Sequence, residues 1–135
     1  MHINENELKN NWLLSHESSV TAWHLAAQRG HITVLKKLWD WAREMNLNLK
    51  EEILLLRDIS GRTAGHLAAE KGNTETLEKI IDWAKEANLN YEADLLLAKD
   101  RNGQNPLKLL KDCLFISEEK KAEVLQQWIH YLPDA

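Results

Sequence analysis

The sequence repeats itself every 42 residues, and this period restricts the fold of the chain more than any other feature. TAWHLAA at residues 21–27 returns as TAGHLAA at 63–69, and DWA at 40–42 returns at 82–84. Periods of about 20–50 residues are typical of solenoid proteins, in which each supersecondary unit buries its apolar face against the next one. The chain is therefore predicted to fold as a row of stacked units.

Unit boundaries follow from this register. We expect one domain over residues 1–135, divided into a partial unit that caps the N-terminus and three further units, at 1–15, 16–57 (unit one), 58–99 (unit two) and 100–135 (unit three). In unit three, VLQQWIHY resembles VLKKLWDW of unit one, but it lies six residues later than two periods would place it. We place this insertion between Cys113 and Lys121. Unit three is expected to be a degenerate C-terminal cap, because the end of a solenoid has no neighbour to cover it.

Each full unit predicts two helices and a third, shorter helical segment. In unit two, residues 58–61 have the composition of a turn, Thr63 suits an N-cap, and Gly72 is placed to end the first helix. Apolar residues at helical spacing predict a second helix over 74–86. Asn90 is then a candidate N-cap for the third segment. The chain is therefore predicted to be all-α, with a short turn finger in each unit.

The pattern D-x-x-G-x-T-x-x-H-x-A-A-x-x-G between Asp58 and Gly72 resembles the ankyrin repeat, whose consensus core is T-P-L-H-x-A. Units one and three keep part of it, at Thr21, His24, Ala26, Ala27, Gly30, Asp100, Gly103, Pro106 and Leu107. The resemblance implies an ankyrin-type helical solenoid. Because the family's usual period is about 33 residues, we place the surplus of about nine in an extra short helix per repeat. A HEAT-type solenoid, with a period of about 40–47, is the alternative fold, although HEAT repeats carry no such turn finger.

Two places depart from the family pattern. His16 and Ser19 stand where the turn of unit one should have aspartate and glycine, so an irregular finger is expected there. Gly65 stands where the family usually has leucine, and we expect a bulky neighbour to fill the resulting gap.

His24 and His66 are the residues that first suggest catalysis or metal binding. Because they recur one period apart, we interpret them as structural. The resemblance implies that each joins backbone groups of its own turn and of a neighbouring unit. Cys113 takes the place of the glycine between first and second helices, and the sequence shows no base beside it. We expect no enzymatic activity, no metal and no cofactor, since ligand spacings, phosphate loops and nucleophile elbows are also missing from the sequence.

The sequence contains many tryptophans for its length: Trp12, Trp23, Trp39, Trp41, Trp83 and Trp128. An aromatic platform for a ligand is one interpretation. Burial is the interpretation that we favour, because Trp41 and Trp83 repeat one period apart. The indole rings are expected to fill the space between second and third helices.

Composition argues against several classes of function. A formal net charge of −4, with lysine pairs that stand isolated, argues against a nucleic-acid surface. No apolar run approaches the roughly 18 residues of a membrane span, and residues 1–11 lack the pattern of a secretory signal. The single cysteine excludes an internal disulfide, which favours a reducing, cytoplasmic location.

The ankyrin resemblance implies a protein-protein interaction module that binds through its turn fingers and the concave side of its first helices. Carried over by motif, the candidate contact residues are Glu17, Ser18, Val20, Gln28 and Arg29 in unit one, Arg57, Ile59, Ser60, Arg62, Glu70 and Lys71 in unit two, and Lys99, Arg101, Asn102, Gln104, Lys111 and Asp112 in unit three. These positions differ from unit to unit, as a recognition surface requires.

The candidate surface has an excess of basic residues, at Arg57, Arg62, Lys71, Lys99 and Arg101. We therefore expect a partner protein segment that carries acidic residues. The chain is expected to be monomeric. Two other functions stay open: a structural spacer taken from a longer repeat array, and self-association by end-to-end stacking.

Overall fold

The computed structural model describes residues 22–46, 48 and 53–131, and every regular element in those residues is helical. The α-helices are α1 (Ala22–Arg29), α2 (Ile32–Glu44), α3 (Ala64–Glu70), α4 (Thr74–Glu86), α5 (Pro106–Lys111) and α6 (Glu118–Leu125). A π-helical turn covers Glu92–Leu96, and a 3-10 turn covers Gln126–Tyr131. The helices form consecutive pairs, one pair in each unit. The predicted all-α architecture is confirmed.

Residues in the left-handed region end both helices of a pair. Gly72 has φ +73° and follows α3. The N–H of Gly72 bonds to the Ala69 carbonyl (3.1 Å), and the next N–H reaches the carbonyl of Ala68 (2.9 Å), which is the Schellman arrangement. After α4, Asn88 takes the same role with φ +60°. Asparagine serves there because, next to glycine, it is among the residues that tolerate this conformation best.

The third segment covers Glu92–Leu96 with Tyr91 at its N-cap position, one residue after the predicted cap Asn90. The side-chain oxygen of Asn90 accepts the N–H of Ala93 (3.4 Å), and its backbone carbonyl accepts that of Asp94 (2.9 Å). The segment is a single π-helical turn. Leu95 and Leu96 are buried and fasten this turn to the core.

Small residues bring the first helices of neighbouring units together. Ala27 on α1 and Ala68 on α3 are completely buried, and these two helices pack directly against each other. Between the second helices lie the larger rings of Trp39 and Trp83, stacked with their centroids 5.2 Å apart. The first helices of units one and two are therefore packed more closely than their second helices.

The tryptophan cluster extends beyond the layer predicted for it. Its rings come from Trp23 of α1, Trp39 of α2 and Trp83 of α4, and residues of the third segments, such as Leu95, belong to the same apolar cluster. These three rings are buried, but Trp41 is 42% exposed, contrary to the prediction. Trp83 is covered by rings of the preceding unit, so its position is buried only where a neighbour provides them. Trp12 lies outside the described residues.

Gly65 leaves no empty space beside α3. A Cβ added to Gly65 would have Leu77 Cδ1 at 3.8 Å and Pro106 Cγ at 3.9 Å. The expected bulky neighbours are therefore the second helix of the same unit and the first residue of α5. Leu77 also belongs to a second apolar cluster, which Leu107 and Leu110 extend into unit three.

Unit three departs from the other units after α5. The N–H of Cys113 bonds to the Leu110 carbonyl (3.1 Å), as that of Gly72 bonds to its own helix. Cys113 therefore takes the glycine's place, as predicted, but its φ is not positive. The chain turns instead through an irregular loop, residues 113–117, which we call the unit-three loop.

The second helix of unit three is shorter than those of units one and two. Ser117 caps α6, because its hydroxyl accepts the N–H of Lys120 (3.1 Å). The α-helix ends at Leu125, and a kink at Trp128 (φ −125°, ψ 15°) interrupts the 3-10 turn that follows. Trp128 is buried, so the kink still directs its ring into the core.

Candidate protein-binding surface

Two turn fingers are shaped by aspartates that form the same hydrogen bonds. In the unit-two finger (residues 57–62), Asp58 Oδ1 accepts the backbone N–H groups of the residues two and four positions later (2.8 and 3.0 Å). In the unit-three finger (residues 99–104), Asp100 Oδ1 does the same (2.8 and 2.9 Å). Each finger is thus held by a carboxylate of its own. The finger of unit one, with its predicted irregularity at His16 and Ser19, lies outside the described residues.

The two fingers are bonded to each other. The Arg101 N–H donates to the Ser60 carbonyl at the finger tips (3.0 Å). At the base, Arg57 Nη1 donates to the carbonyls of Gly61 (2.7 Å) and Lys99 (2.8 Å). These bonds tie the fingers into one continuous edge, so the side chains they carry have defined relative positions.

Arg62 is held between two carboxylates. Its Nε lies 3.0 Å from Asp100 Oδ2 in the next unit, and its Nη1 pairs with Glu70. The Asp100 side chain is fully buried, and that of Arg62 is only 18% exposed. Burial acts to raise the pKa of Asp100, but the hydrogen bonds from the Gln104 N–H and from Arg62 outweigh burial and lower that pKa. Arg62 therefore joins two units.

His24 and His66 occupy equivalent places in adjacent layers. His24 Nε2 lies 2.9 Å from the Leu56 carbonyl, and His66 Nε2 lies 2.7 Å from the Ala98 carbonyl, which is 42 residues further on. His66 Nδ1 accepts the N–H of Thr63 (3.1 Å), so the neutral ring with its proton on Nε2 satisfies both partners. Burial lowers the pKa of His24 and brings that of His66 down to about 4. His66 Nε2 also lies 3.2 Å from the Gln104 carbonyl of unit three, so the predicted role of His66, which joins its own turn to a neighbouring unit, is confirmed. For His24, a hydrogen bond with the backbone of Arg62 reaches unit two, whereas the turn before His24 lies outside the described residues.

Asn73 forms a link between units that the sequence analysis missed. Its Nδ2 donates to the carbonyls of Ala27 (3.2 Å) and Gln28 (2.7 Å) at the end of α1. Carbonyls at a helix C-terminus have no partner within their own helix, and an amide side chain can satisfy them. The sequence feature that could have revealed this link is the asparagine directly after Gly72.

The candidate contact residues differ in the solvent exposure of their side chains. Glu17, Ser18 and Val20 lie outside the described residues. The exposed candidates are Arg29, Arg57, Ile59, Ser60, Lys99, Arg101, Asn102 and Asp112. The half-buried candidates are Gln28, Arg62, Glu70, Lys71, Gln104 and Lys111. Because Arg62 and Glu70 pair with each other, the free charge of the surface comes mainly from the fingers of units two and three.

Two exposed apolar residues were not recognised as candidates. Leu114 and Phe115 adjoin each other in the unit-three loop and are 91% and 68% exposed. The insertion could have revealed these two residues, because they are large, apolar and located in a stretch that has no counterpart in the other units.

Metal-binding clusters and membrane-spanning helices are absent from the described residues. Within the described part of the chain, no three His, Cys, Asp or Glu side chains are grouped so that they could hold a metal ion. No helix in residues 22–46 and 53–131 is both long enough and apolar enough to cross a membrane.

Helix pairs that stack at a fixed period, with turn fingers bonded side by side, define a helical repeat protein. Residues 3–93 match the family described as Ankyrin repeats (3 copies), and the chain belongs to that family. Ankyrin repeats are generally non-enzymatic protein-protein interaction modules. A comparison with curated proteins gives no match.

Proposed function

We propose that this chain binds a segment of another protein across its fingers and the concave side of its first helices. The observation that carries this proposal is the bonded edge formed by the two fingers. Ile59, Lys99, Arg101 and Asn102 project from that edge with exposed side chains on a backbone that is already ordered. A preorganised surface of this kind loses little conformational freedom on binding, which favours affinity.

The charges on this surface support an acidic partner. Both of its carboxylates in the described part of the chain have partners: Glu70 pairs with Arg62, and Asp112 pairs with Lys108 (3.1 Å). Lys99 and Arg101 are exposed and have no carboxylate within ion-pairing distance in the described part of the chain. Positive charge therefore remains for a carboxylate of the partner, and salt should weaken the complex.

Charge reversal at the fingers tests the proposal. Peptides selected from a random phage-display library on the whole chain serve as probes, and their affinity is measured by fluorescence anisotropy. The enriched peptides should be acidic, and the double variant Lys99→Glu/Arg101→Glu should weaken their binding about tenfold or more, equivalent to about 1.4 kcal/mol. Arg62 is left intact because its reversal would place a carboxylate beside Asp100 and Glu70.

A matched control comes from the second helix of unit one. Lys36 and Lys37 are exposed on α2, and Lys36→Glu/Lys37→Glu changes the net charge by the same amount. Affinity should change less than about twofold in this control. Equal losses in the two double variants would reject the finger surface, since they would reflect net charge alone.

Lys108 favours a monomeric binder over end-to-end self-association. It stands 42 residues after His66, at the position from which the motif histidine reaches the next unit. Its side chain is exposed and pairs with Asp112 in its own helical turn. A charged residue at this position suits a surface in water, which supports residues 100–135 as the C-terminal cap of a single domain over 1–135. Light scattering over a concentration series should give a constant monomer mass.

A reducing, cytoplasmic location completes the proposal. Cys113 is a free thiol and is buried against unit two. A chain with one cysteine gains nothing from an oxidising compartment, so a reducing location is the simpler one. Fluorescence imaging of the tagged chain would test it.

A further inference from the structure

Leu114 and Phe115 form the most exposed apolar feature of the described residues. Leu114 is 91% exposed and Phe115 68%, whereas the other exposed large apolar side chains of the described residues, such as Val34 and Ile59, are at most 52% exposed and have no such neighbour adjacent in sequence. Single exposed apolar residues are normal on protein surfaces, but adjoining ones that project fully into water are not.

The unit-three loop holds this pair outward from both sides. Before the pair, Cys113 is buried, and its sulfur accepts the N–H of Phe115 (3.4 Å). After the pair, Ile116 packs on unit two so closely that a Cβ added to Gly72 would lie 2.8 Å from Ile116 Cγ2. With its two neighbours fixed, the loop is shaped to present Leu114 and Phe115 rather than to bury them.

A cation stands at the edge of the pair. Lys71 Nζ lies 5.3 Å from the centroid of the Phe115 ring, a cation–π distance. In the described part of the chain, Lys71 has no carboxylate within ion-pairing distance. The lysines of the neighbouring α6 do have one: Lys120 pairs with Glu123, and Lys121 pairs with Glu118. The positive charge beside the apolar pair is thus still available to a ligand.

We infer that the unit-three loop is a docking point for an acidic protein segment that carries a large apolar side chain next to a carboxylate. Leu114 and Phe115 cover the apolar side chain, and Lys71 pairs with the carboxylate. The inference rests on the proposed function, because the ligand is a protein segment. The inference adds a second contact for the bound segment, at the unit-three loop, in addition to the fingers.

The contribution of the loop can be distinguished from that of the fingers by measuring the same selected peptides on loop variants and on finger variants. Leu114→Ser/Phe115→Ser should weaken binding about tenfold, and Lys71→Gln about threefold, because burial of an apolar anchor contributes more than a surface ion pair. Val34→Ser, which alters an exposed apolar residue on α2, is the control and should leave affinity unchanged. Both loop residues are exposed, so the double variant should keep its circular dichroism spectrum and its unfolding midpoint.

Each outcome supports or rejects the loop assignment. Enriched peptides that combine an acidic residue with a large apolar one, and that lose affinity in the loop variant, support it. Peptides that respond to Lys99→Glu/Arg101→Glu but not to the loop variant reject the loop and leave the proposed function standing. Failure to enrich any peptide contradicts both. A dimer in sedimentation velocity that dissociates in Leu114→Ser/Phe115→Ser would assign the pair to a second copy and overturn the inference.

Discussion

Arg62 and Asp100 form an ion pair across the boundary between units two and three, with 3.0 Å between Nε and Oδ2. The carboxylate is fully buried and also receives two backbone N–H groups of its own finger. The pair therefore fixes the finger of unit three relative to the finger of unit two. Arg43 and Glu86 form another pair between units, at 3.3 Å, but both side chains are about half exposed.

Removing each arginine should reveal this difference in burial. Arg62→Ala leaves Asp100 buried without its cationic partner and should lower the free energy of unfolding by about 2–3 kcal/mol. Arg43→Ala removes an exposed pair and should cost less than about 1 kcal/mol. Urea unfolding followed by circular dichroism measures both values. Equal effects would show that the buried pair contributes no more than a surface one.

The motif histidine of unit two and its counterpart in unit three should also differ. His66→Ala removes the partner of the Thr63 N–H and of the Ala98 carbonyl and leaves a cavity, so a loss of about 2–4 kcal/mol is expected. Lys108→Ala, one period later, should change stability by less than about 0.5 kcal/mol because Lys108 is exposed. Chemical denaturation of the two variants gives the comparison. A large loss for Lys108→Ala would show that Lys108 supports the fold as His66 does.

Acid should destabilise the fold through the same histidine. Burial lowers the pKa of His66 from 6.5 to about 4. Between these values the unfolded chain binds more protons than the folded one, so stability falls as pH decreases through this window. The loss from His66 reaches about 3 kcal/mol near the folded pKa, and His24, whose pKa is also lowered, adds to it. Unfolding free energies at about pH 7 and about pH 5 test this. His66→Gln should show a shallower dependence, and a wild-type value that did not vary with pH would contradict the expectation.

Repetition in the sequence predicted the backbone better than it predicted burial. The positions of His66, Gly72 and Asn90 relative to their helices follow from local chemistry that each unit carries within itself. The burial of Trp83 does not, because it depends on the rings of Trp23 and Trp39 in the preceding unit. Arg62 likewise resembled a free surface cation, since its partners lie in another turn of helix and another unit. Contacts between units therefore cannot be predicted from the repeat alone, whereas turns and helix ends can.

The tryptophans allow a direct test of burial by the neighbouring unit. Trp39 is buried and stacks on Trp83, so Trp39→Ala should cost about 3–5 kcal/mol through lost contacts and a cavity. Trp41→Ala, two residues away on the same helix, should cost less than about 1 kcal/mol because its ring is partly in water. Thermal and urea unfolding measure both variants. If Trp41→Ala were as damaging as Trp39→Ala, the assignment of Trp41 to the surface would be wrong.

Alanine substitutions at two glycines with the same backbone conformation should distinguish the cost of a left-handed backbone from the cost of a steric clash. Gly72 and Gly103 have φ of +73° and +77°, but an added Cβ would meet Ile116 at 2.8 Å in the first case and nothing within 4 Å in the second. Gly103→Ala should therefore cost only the strain of the left-handed region, about 1 kcal/mol. Gly72→Ala adds a clash with the unit-three loop and should cost about 2–4 kcal/mol. It should also increase proteolysis near Ile116, because relief of the clash displaces the loop. Equal stability losses, with no change in proteolysis, would show that the loop does not pack on Gly72.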